Sequence, residues 1–320
     1  MVRFLVTGAT GMVGSHLVER LHAAAPGAVL GTSFGPAGPL PPHRLLMPLD
    51  VRDAAAVRDC IAEARPAVIY HLAAQSLPTL SWRDPWTTMD TNVQGTVNVF
   101  EAVRAVRATA DAGYDPMVVV ACSSAEYGAS LTPERVPIDE EAPLLPLHPY
   151  GVSKVAQDLL AFQYWRNERI RTIRARIFNT TGPRKTADVI ADFAGRVAAI
   201  VRRGGGALRV GNLDARRAIL DVRDLLAALT LLAERGEPGE AYNICAEAAH
   251  PVGDLVPIFE RLAGRALPLE TDPALLRPSD EPVILGRTDK LRARTGWRPR
   301  VTLEETVRAV LDDAMARIPA

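Results

Sequence analysis

Tyr150-Gly-Val-Ser-Lys154 sets a phenol and an amine four residues apart. Residues i and i+4 share a helix face, so the two side chains would stand together, and an ammonium beside the ring favours phenolate and lowers the phenol pKa. A tyrosine so placed can move protons near neutral pH. The chain holds 37 Lys and Arg, yet lysine occurs only at 154, 185 and 290. Arginine serves the general surface, and a lysine marks a place that needs a compact ammonium whose pKa can move. Ser123 follows the apolar run Val118-Val119-Val120-Ala121-Cys122, at the strand end where doubly wound sheets bind ligands. Ser123, Tyr150 and Lys154 are the catalytic candidates. By itself a Tyr/Lys pair at this spacing is commonly an ordinary surface pair, so its meaning depends on the rest of the chain.

The elements that must position this trio begin at the N-terminus. Phe4-Leu5-Val6 reads as a buried strand, followed by Thr7-Gly8-Ala9-Thr10-Gly11-Met12-Val13-Gly14 and an amphipathic stretch from about Ser15. Gly8 suits a tight turn, Gly11 the approach of backbone N–H groups to a pyrophosphate, and Gly14 close packing of helix on strand. The helix N-terminus favours the anionic phosphates. A second strand, residues 28–32, ends in Gly31-Thr32-Ser33 where a simple NAD site has Asp or Glu. Two hydroxyls without a carboxylate do not repel a 2′-phosphate, so NADP(H) is expected in preference to NAD(H), with Arg44 placed to fold back on it. Asp50-Val51, after the third strand, is the expected polar contact to adenine.

The bulk properties fit an enzyme of this kind. The 320 residues are 48% hydrophobic and 23% charged, which excludes general disorder, and 37 basic against 37 acidic residues leave no field to attract nucleic acid or an anionic membrane. The chain runs straight into a strand without a leader-like segment, and no apolar stretch approaches the roughly 20 residues of a membrane span, so a cytoplasmic protein is expected. Cys60, Cys122 and Cys245 lie far apart without metal-ligand spacing and read as buried thiols; no metal is expected. Apolar runs at residues 4–6, 28–31, 68–72, 117–122 and 171–176 alternate with amphipathic segments, which predicts an α/β Rossmann fold with a doubly wound parallel sheet. From Asn179 the pattern becomes irregular. Residues 1–178, with about 218–245, are assigned to the dinucleotide-binding domain, and 179–217 with 246–320 to a smaller substrate lobe.

With the glycine turn, strand-end serine and Tyr/Lys pair in one chain, the sequence resembles the extended short-chain dehydrogenases that modify sugar nucleotides, the epimerase/dehydratase family. The resemblance covers essentially the whole length. It is carried by residues 7–14, His71-Leu72-Ala73-Ala74-Gln75-Ser76, Asn92 with Gly95-Thr96, Ser123 with Tyr127-Gly128, and Tyr150 with Lys154. Arg176-Ile177-Phe178-Asn179, residues 211–217 with Asp221-Val222-Arg223-Asp224, and Arg277-Pro278-Ser279-Asp280 with Gly296-Trp297 resemble the GDP-mannose 4,6-dehydratase and GDP-4-keto-6-deoxymannose reductase branch. The resemblance implies cofactor contacts at Gly8, Thr10, Gly11, Met12, Val13, Gly14, Thr32, Ser33, Asp50, Val51, Leu72, Ala73, Ala74, Asn92, Tyr150 and Lys154. It implies substrate contacts at Gln75, Ser76, Ser124, Ala125, Asn179, Arg217 and Arg277; arginines grip diphosphate oxygens bidentately. The arginine pair at 216 and 217 also reads as plain surface charge. The expected substrate is a nucleotide sugar, GDP-linked in this branch. The expected assembly is a homodimer through a four-helix contact of residues 92–104 and 150–166.

Reductase, dehydratase and epimerase share the cofactor, the serine, the tyrosine and the lysine. The resembling dehydratases add a glutamate two places before Tyr-Gly of the serine loop, and here that place is Ala125. Glu126 is adjacent, and alternation along extended chain turns it away from the sugar. Reduction of a 4-keto-6-deoxyhexose therefore leads; dehydratase and epimerase stay open, as does a non-catalytic cofactor sensor, because fold alone does not imply activity. His71, His148 and Trp297 read as packing or hydrogen-bonding residues. The loop at residues 182–191, with Arg184 and Lys185, reads either as an arm to a neighbouring subunit or as mobile.

Overall fold

The computed structural model describes residues 2–35, 46–109, 113–276 and 281–317; Arg44 and Arg277 lie outside them. The first half runs β1 (Phe4–Thr7), α1 (Met12–Ala24), β2 (Val29–Ser33), β3 (Leu46–Pro48), α2 (Ala54–Ala64), β4 (Val68–His71), α3 (Pro78–Arg83), α4 (Pro85–Met89), a π-helical turn (Asp90–Gln94), α5 (Gly95–Thr109) and β5 (Met117–Ser123). Then follow α6 (Pro149–Glu168), β6 (Arg171–Ile177), β7 (Thr180–Thr181), α7 (Val189–Arg203), β8 (Leu208–Val210), β9 (Arg216–Arg217), β10 (Leu220–Asp221), α8 (Val222–Arg235) and β11 (Ala241–Ile244). The last part holds β12 (His250–Pro251), α9 (Leu255–Ala263), β13 (Leu269–Thr271), β14 (Val283–Ile284), α10 (Asp289–Thr295) and α11 (Leu303–Arg317).

Seven strands form one parallel sheet in the order β11-β6-β5-β4-β1-β2-β3. Successive strand residues point to opposite faces, and both faces are covered. Leu5, Ile69, Val118 and Val120 pack with α2, α5 and α6, while Val6, Tyr70 and Val119 pack with α1 and α8. That is why these strands read as unbroken apolar runs. Side chains fix the helix starts: Asp53 caps α2, Asp188 caps α7 and Asp221 caps α8, each satisfying N–H groups that the helix cannot. Helix α1 begins at Met12, earlier than the amphipathic pattern suggests, because the glycine turn itself supplies its first turn.

Beyond β6, α7, α9 and α11 enclose a separate cluster around Phe193, Val197, Phe259, Val307 and Val310. Small sheets join β10 to β7, β9 to β12 and β14, and β13 to β8. Leu291 and Trp297 pack instead in the cluster of α8 and the large sheet, and the indole Nε1 of Trp297 donates to Asp224 O at 3.0 Å. Cys60, Cys122 and Cys245 are free and buried.

Candidate active site

The carboxyl ends of β2, β1, β4 and β5 lie side by side in one parallel sheet, the edge outside which doubly wound folds form their ligand crevice, and the glycine turn leaves β1 there. A Cβ on Gly14 would lie 2.2 Å from Gly8 O, so the helix can approach the turn only without a side chain there. Gly11 precedes α1 with no side-chain cap, which leaves the first N–H groups, at Met12, Val13 and Gly14, for an anion. Thr7 Oγ1 accepts from Leu72 N and Ala73 N at 3.2 Å each, tying the β4 exit, including Ala74, to the same turn. With both N–H groups accepted, the Thr7 hydroxyl gives its proton to His71 Nδ1 at 2.9 Å, and His71 Nε2 donates to Thr96 Oγ1 at 3.0 Å. Burial, reinforced by Lys154, pushes the imidazole pKa down to about 3, so His71 is a neutral packing residue, as its sequence context suggests. At the end of β2, Thr32 and Ser33 are both buried, and Thr32 Oγ1 has no hydrogen-bond partner. Asp50 is paired with Arg52. An uncapped helix start over a glycine floor, with an orphaned hydroxyl at the adenosine end, fits a nicotinamide dinucleotide.

The catalytic candidates come together from β5 and α6. Ser123 ends β5; its Oγ accepts from Ala125 N at 3.2 Å, and its N–H donates to Glu126 Oε1 at 2.7 Å. Tyr150 lies in the first turn of α6, where Pro149 starts the helix and His148 Nδ1 accepts from Gly151 N at 3.0 Å. A Cβ on Gly151 would sit 2.7 Å from Ala125 O, so this glycine, which the sequence alone does not single out, lets α6 press against the serine loop. Lys154 is buried, and its Nζ donates to Ala121 O at 2.7 Å while lying 5.7 Å from the Tyr150 ring centre. The Tyr150 phenol departs from the sequence expectation. Burial pushes it up to about 12, and the hydrogen bond with Ser123 only partly opposes this. The amine is aimed at a strand carbonyl beneath the ring, so it does not produce the lowered phenol pKa that i, i+4 proximity suggests. Burial in turn lowers Lys154 to about 8.

Asn92 is fully buried in the π-helical turn. Its Oδ1 accepts from Gln75 N at 2.8 Å, and its Nδ2 donates to Gln75 O at 3.0 Å and Ser153 Oγ at 2.8 Å. It thus ties the loop after β4 to the part of α6 that carries Tyr150 and Lys154. Gln75 Nε2 donates to Thr88 Oγ1 at 2.9 Å and to Leu77 O, while Ser76 is exposed.

Beneath the serine lies a charged network that the sequence does not reveal. Glu126 is fully buried, with Arg176 Nε 3.4 Å from its Oε2, and Arg176 also donates to Asp158 at 2.8 and 3.2 Å. Asp158 accepts from Arg174 at 2.7 Å, and Tyr127 Oη accepts from Arg176 and donates to Asn243 Oδ1 at 2.7 Å. Glu126 does face away from the crevice, but not by strand alternation. Ser124–Glu126 is a 3-10 turn, and a reciprocal capping box with Ser123 folds the carboxylate inward. Burial, then Asp158, holds this carboxyl well above its ordinary pKa, whereas at Asp158 burial is opposed by the bonds and charges of Arg176 and Arg174, which together hold it low. Cys122 Sγ lies within 4.8 Å of an oxygen of each carboxyl group, and the charge of Asp158 is compensated by Arg174 and Arg176.

On the substrate side Ser124 is buried and Ala125 half-buried. Asn179 follows β6 and carries a buried Nδ2 without a hydrogen-bond partner. Arg217, on β9, donates from Nη1 to Arg216 O at 3.0 Å and Glu281 O at 2.8 Å. Arg184 docks within its own chain, donating to His16 and Glu19 of α1, while its N–H donates to Asp313 at 2.8 Å.

Comparison with known proteins agrees with this geometry. A family profile described as GDP-mannose 4,6 dehydratase matches residues 5–310. GDP-6-deoxy-D-mannose reductase of Pseudomonas aeruginosa is 33% identical over 319 residues, 99% of this chain and 98% of that protein. GDP-mannose 4,6 dehydratase 2 of Arabidopsis thaliana is 27% identical, covering 97% of this chain and 86% of its own. Among solved structures, RMD from Pseudomonas aeruginosa complexed with NADPH superposes with a TM-score of 0.84 at 31% identity, covering 99% of this chain and 100% of the other. The UDP-glucose 4-epimerase of Thermus thermophilus, complexed with NAD, gives a TM-score of 0.85 at 27% identity, covering 99% and 100%. The chain belongs to the GDP-mannose 4,6 dehydratase family, within the NAD(P)-dependent short-chain dehydrogenases of the epimerase/dehydratase type.

Proposed function

We propose that this protein is a reductase of a GDP-linked 4-keto-6-deoxyhexose and prefers NADPH to NADH. The observation that carries the reading is the inward turn of Glu126 with Ala125 at the place where a dehydratase carboxylate would stand. Elimination of water needs a group to take the proton at C5, and the serine loop offers none to the crevice. The similarity to the Pseudomonas reductase supports the same choice. Bound NADPH supplies hydride to C4. A phenol held near 12 is protonated at neutral pH and suited to donate to the oxygen that gains charge at C4. Ser123 Oγ accepts from Ala125 N and is hydrogen-bonded to Tyr150, and its hydroxyl is assigned to turn to the same oxygen when the sugar is bound. Lys154, cationic below about 8, is assigned to hold the nicotinamide ribose beside the tyrosine.

Asn179, Arg217 and Arg277 are assigned to the GDP portion, with Gln75, Ser76, Ser124 and Ala125 toward the sugar. The division into residues 1–178 with about 218–245, and 179–217 with 246–320, belongs to the same proposal, as do a cytoplasmic location and a homodimer through α5 and α6. Among the described residues no helix is long and apolar enough to cross a membrane. Val152, Leu159 and Phe162 are exposed on α6, in keeping with a covered face.

The test is to incubate the protein with GDP-4-keto-6-deoxymannose and NADPH or NADH, and in parallel with GDP-mannose and NADP⁺, following nicotinamide absorbance and product mass. Cofactor oxidation with a gain of two hydrogens is expected in the first mixture. Loss of water from GDP-mannose without net cofactor change would establish a dehydratase instead. Tyr150→Phe should lose turnover about 10²–10⁴-fold while retaining cofactor; a sensor would be indifferent to it.

A further inference from the structure

Phe34 directly follows β2 and is 72% exposed, a large aromatic ring standing at the carboxyl end of the second strand. The Arg52 guanidinium lies over it, 5.1 Å from the ring centre. Leu49 N donates to Ser33 O at 2.9 Å, which brings the segment after β3, and with it Asp50 and Arg52, beside the end of β2. Arg52 is held from two sides. Its Nε donates to both oxygens of Asp50 at 3.0 Å and its Nη2 to one of them at 2.7 Å, while its own N–H donates to Asp50 Oδ1 at 3.0 Å. Both hydrogens of Nη1 have no acceptor among the described residues.

A half-buried surface arginine still loses rotamer entropy when binding fixes it. Here that cost is met in advance, because Asp50 and Phe34 fix the plane of the guanidinium. The adenosine half of a dinucleotide crosses this part of a doubly wound sheet, with the ribose 2′ position over the end of β2. The end of β2 itself carries no carboxylate, only Thr32 and Ser33, both buried, and the neighbouring carboxylate of Asp50 is engaged by Arg52. A flat ring and a flat cation form a surface on which a purine can stack. A preoriented pair of N–H donors suits a phosphate oxygen.

We propose that Phe34 and Arg52 form the adenosine end of the cofactor site, with Arg52 as the anchor for a 2′-phosphate and hence the residue that selects the phosphorylated cofactor. The inference rests on the nicotinamide-cofactor reading. Asp50 acts through Arg52 as a positioning residue: it accepts from two nitrogens of the fork and not from the third.

The experiment is calorimetric titration of the full chain with 2′,5′-ADP and with 5′-AMP, ligands that lack nicotinamide and so report binding without turnover. The unaltered protein should bind 2′,5′-ADP at least ten times more tightly. Arg52→Ala should remove most of that ratio while changing 5′-AMP affinity less than about threefold. Phe34→Ala should weaken both nucleotides alike. An unchanged ratio in Arg52→Ala, with both nucleotides still binding, would overturn the role of Arg52 and leave the cofactor reading standing. Absence of binding by both nucleotides, and by NADPH itself, would bring down both.

Discussion

Replacing Glu126 tests whether the buried carboxylate serves as scaffold or as reactant. In Glu126→Leu the Ser123 N–H loses its 2.7 Å acceptor inside the protein, and an unsatisfied buried donor costs about 1–3 kcal/mol. The larger penalty for an orphaned buried charge does not apply, because Arg176 keeps Asp158 at 2.8 and 3.2 Å. For a chain of this size 1 kcal/mol corresponds to about 2 °C, so Tm should fall by about 2–6 °C. Ser123 would lose its fixed geometry, and displacement of a catalytic group by about 1 Å can cost on the order of 10² in rate. Turnover of the 4-keto sugar should therefore fall about 10- to 100-fold while KM stays within about threefold. Glu126→Gln keeps the accepting oxygen and should restore turnover to within about threefold. The two variants also differ in their pH response. The folded carboxyl has a raised pKa, so its contribution to stability is fully present below the ordinary value of 4.5 and is lost as pH rises through the raised value. The permanently neutral glutamine should gain on the parent protein as pH rises. Steady-state kinetics and thermal melts across pH read all of this. If Glu126→Gln proves as inactive as Glu126→Leu, the carboxylate takes part in proton transfer and the scaffold argument is wrong.

Lys154 has its pKa lowered from 10.5 to about 8, so the folded protein binds fewer protons than the unfolded chain between those values. Relative to Lys154→Met, the parent should gain about 3 kcal/mol as pH rises through that window, with the gain lost again as pH falls through about 8; equal pH dependence in urea melts would contradict it. Gly14→Ala puts a Cβ 2.2 Å from Gly8 O, so NADPH binding by fluorescence should weaken at least tenfold even where the protein still folds; unchanged binding would mean that α1 shifts freely. Leu159→Glu, on the exposed face of α6, should convert a dimer to a monomer by light scattering, whereas a parent protein that is already monomeric at micromolar concentration would remove the four-helix contact.

What could be read from the chain alone was whatever rests on local spacing. Unbroken apolar runs at β1, β4 and β5 foretold a sheet covered on both faces, because alternate residues of each strand enter different clusters. The glycine turn was legible because close approach of helix to strand excludes Cβ, a constraint that a sequence displays directly. The Tyr150/Lys154 pair was legible because helix periodicity puts them on one face. Tertiary structure decided where those groups act. Lys154 finds its acceptor on β5, 33 residues earlier, and so does not lower the phenol as proximity alone suggests. Asn92 joins a loop 17 residues before it to a helix 61 residues after it. Glu126 turns inward because one 3-10 turn meets Arg176 and Asp158, and Arg52 lies on Phe34 because β2 and β3 pair in a particular register. Burial, hydrogen-bond partners and pKa values depend on elements far apart in the chain, and no local pattern encodes which of them will meet.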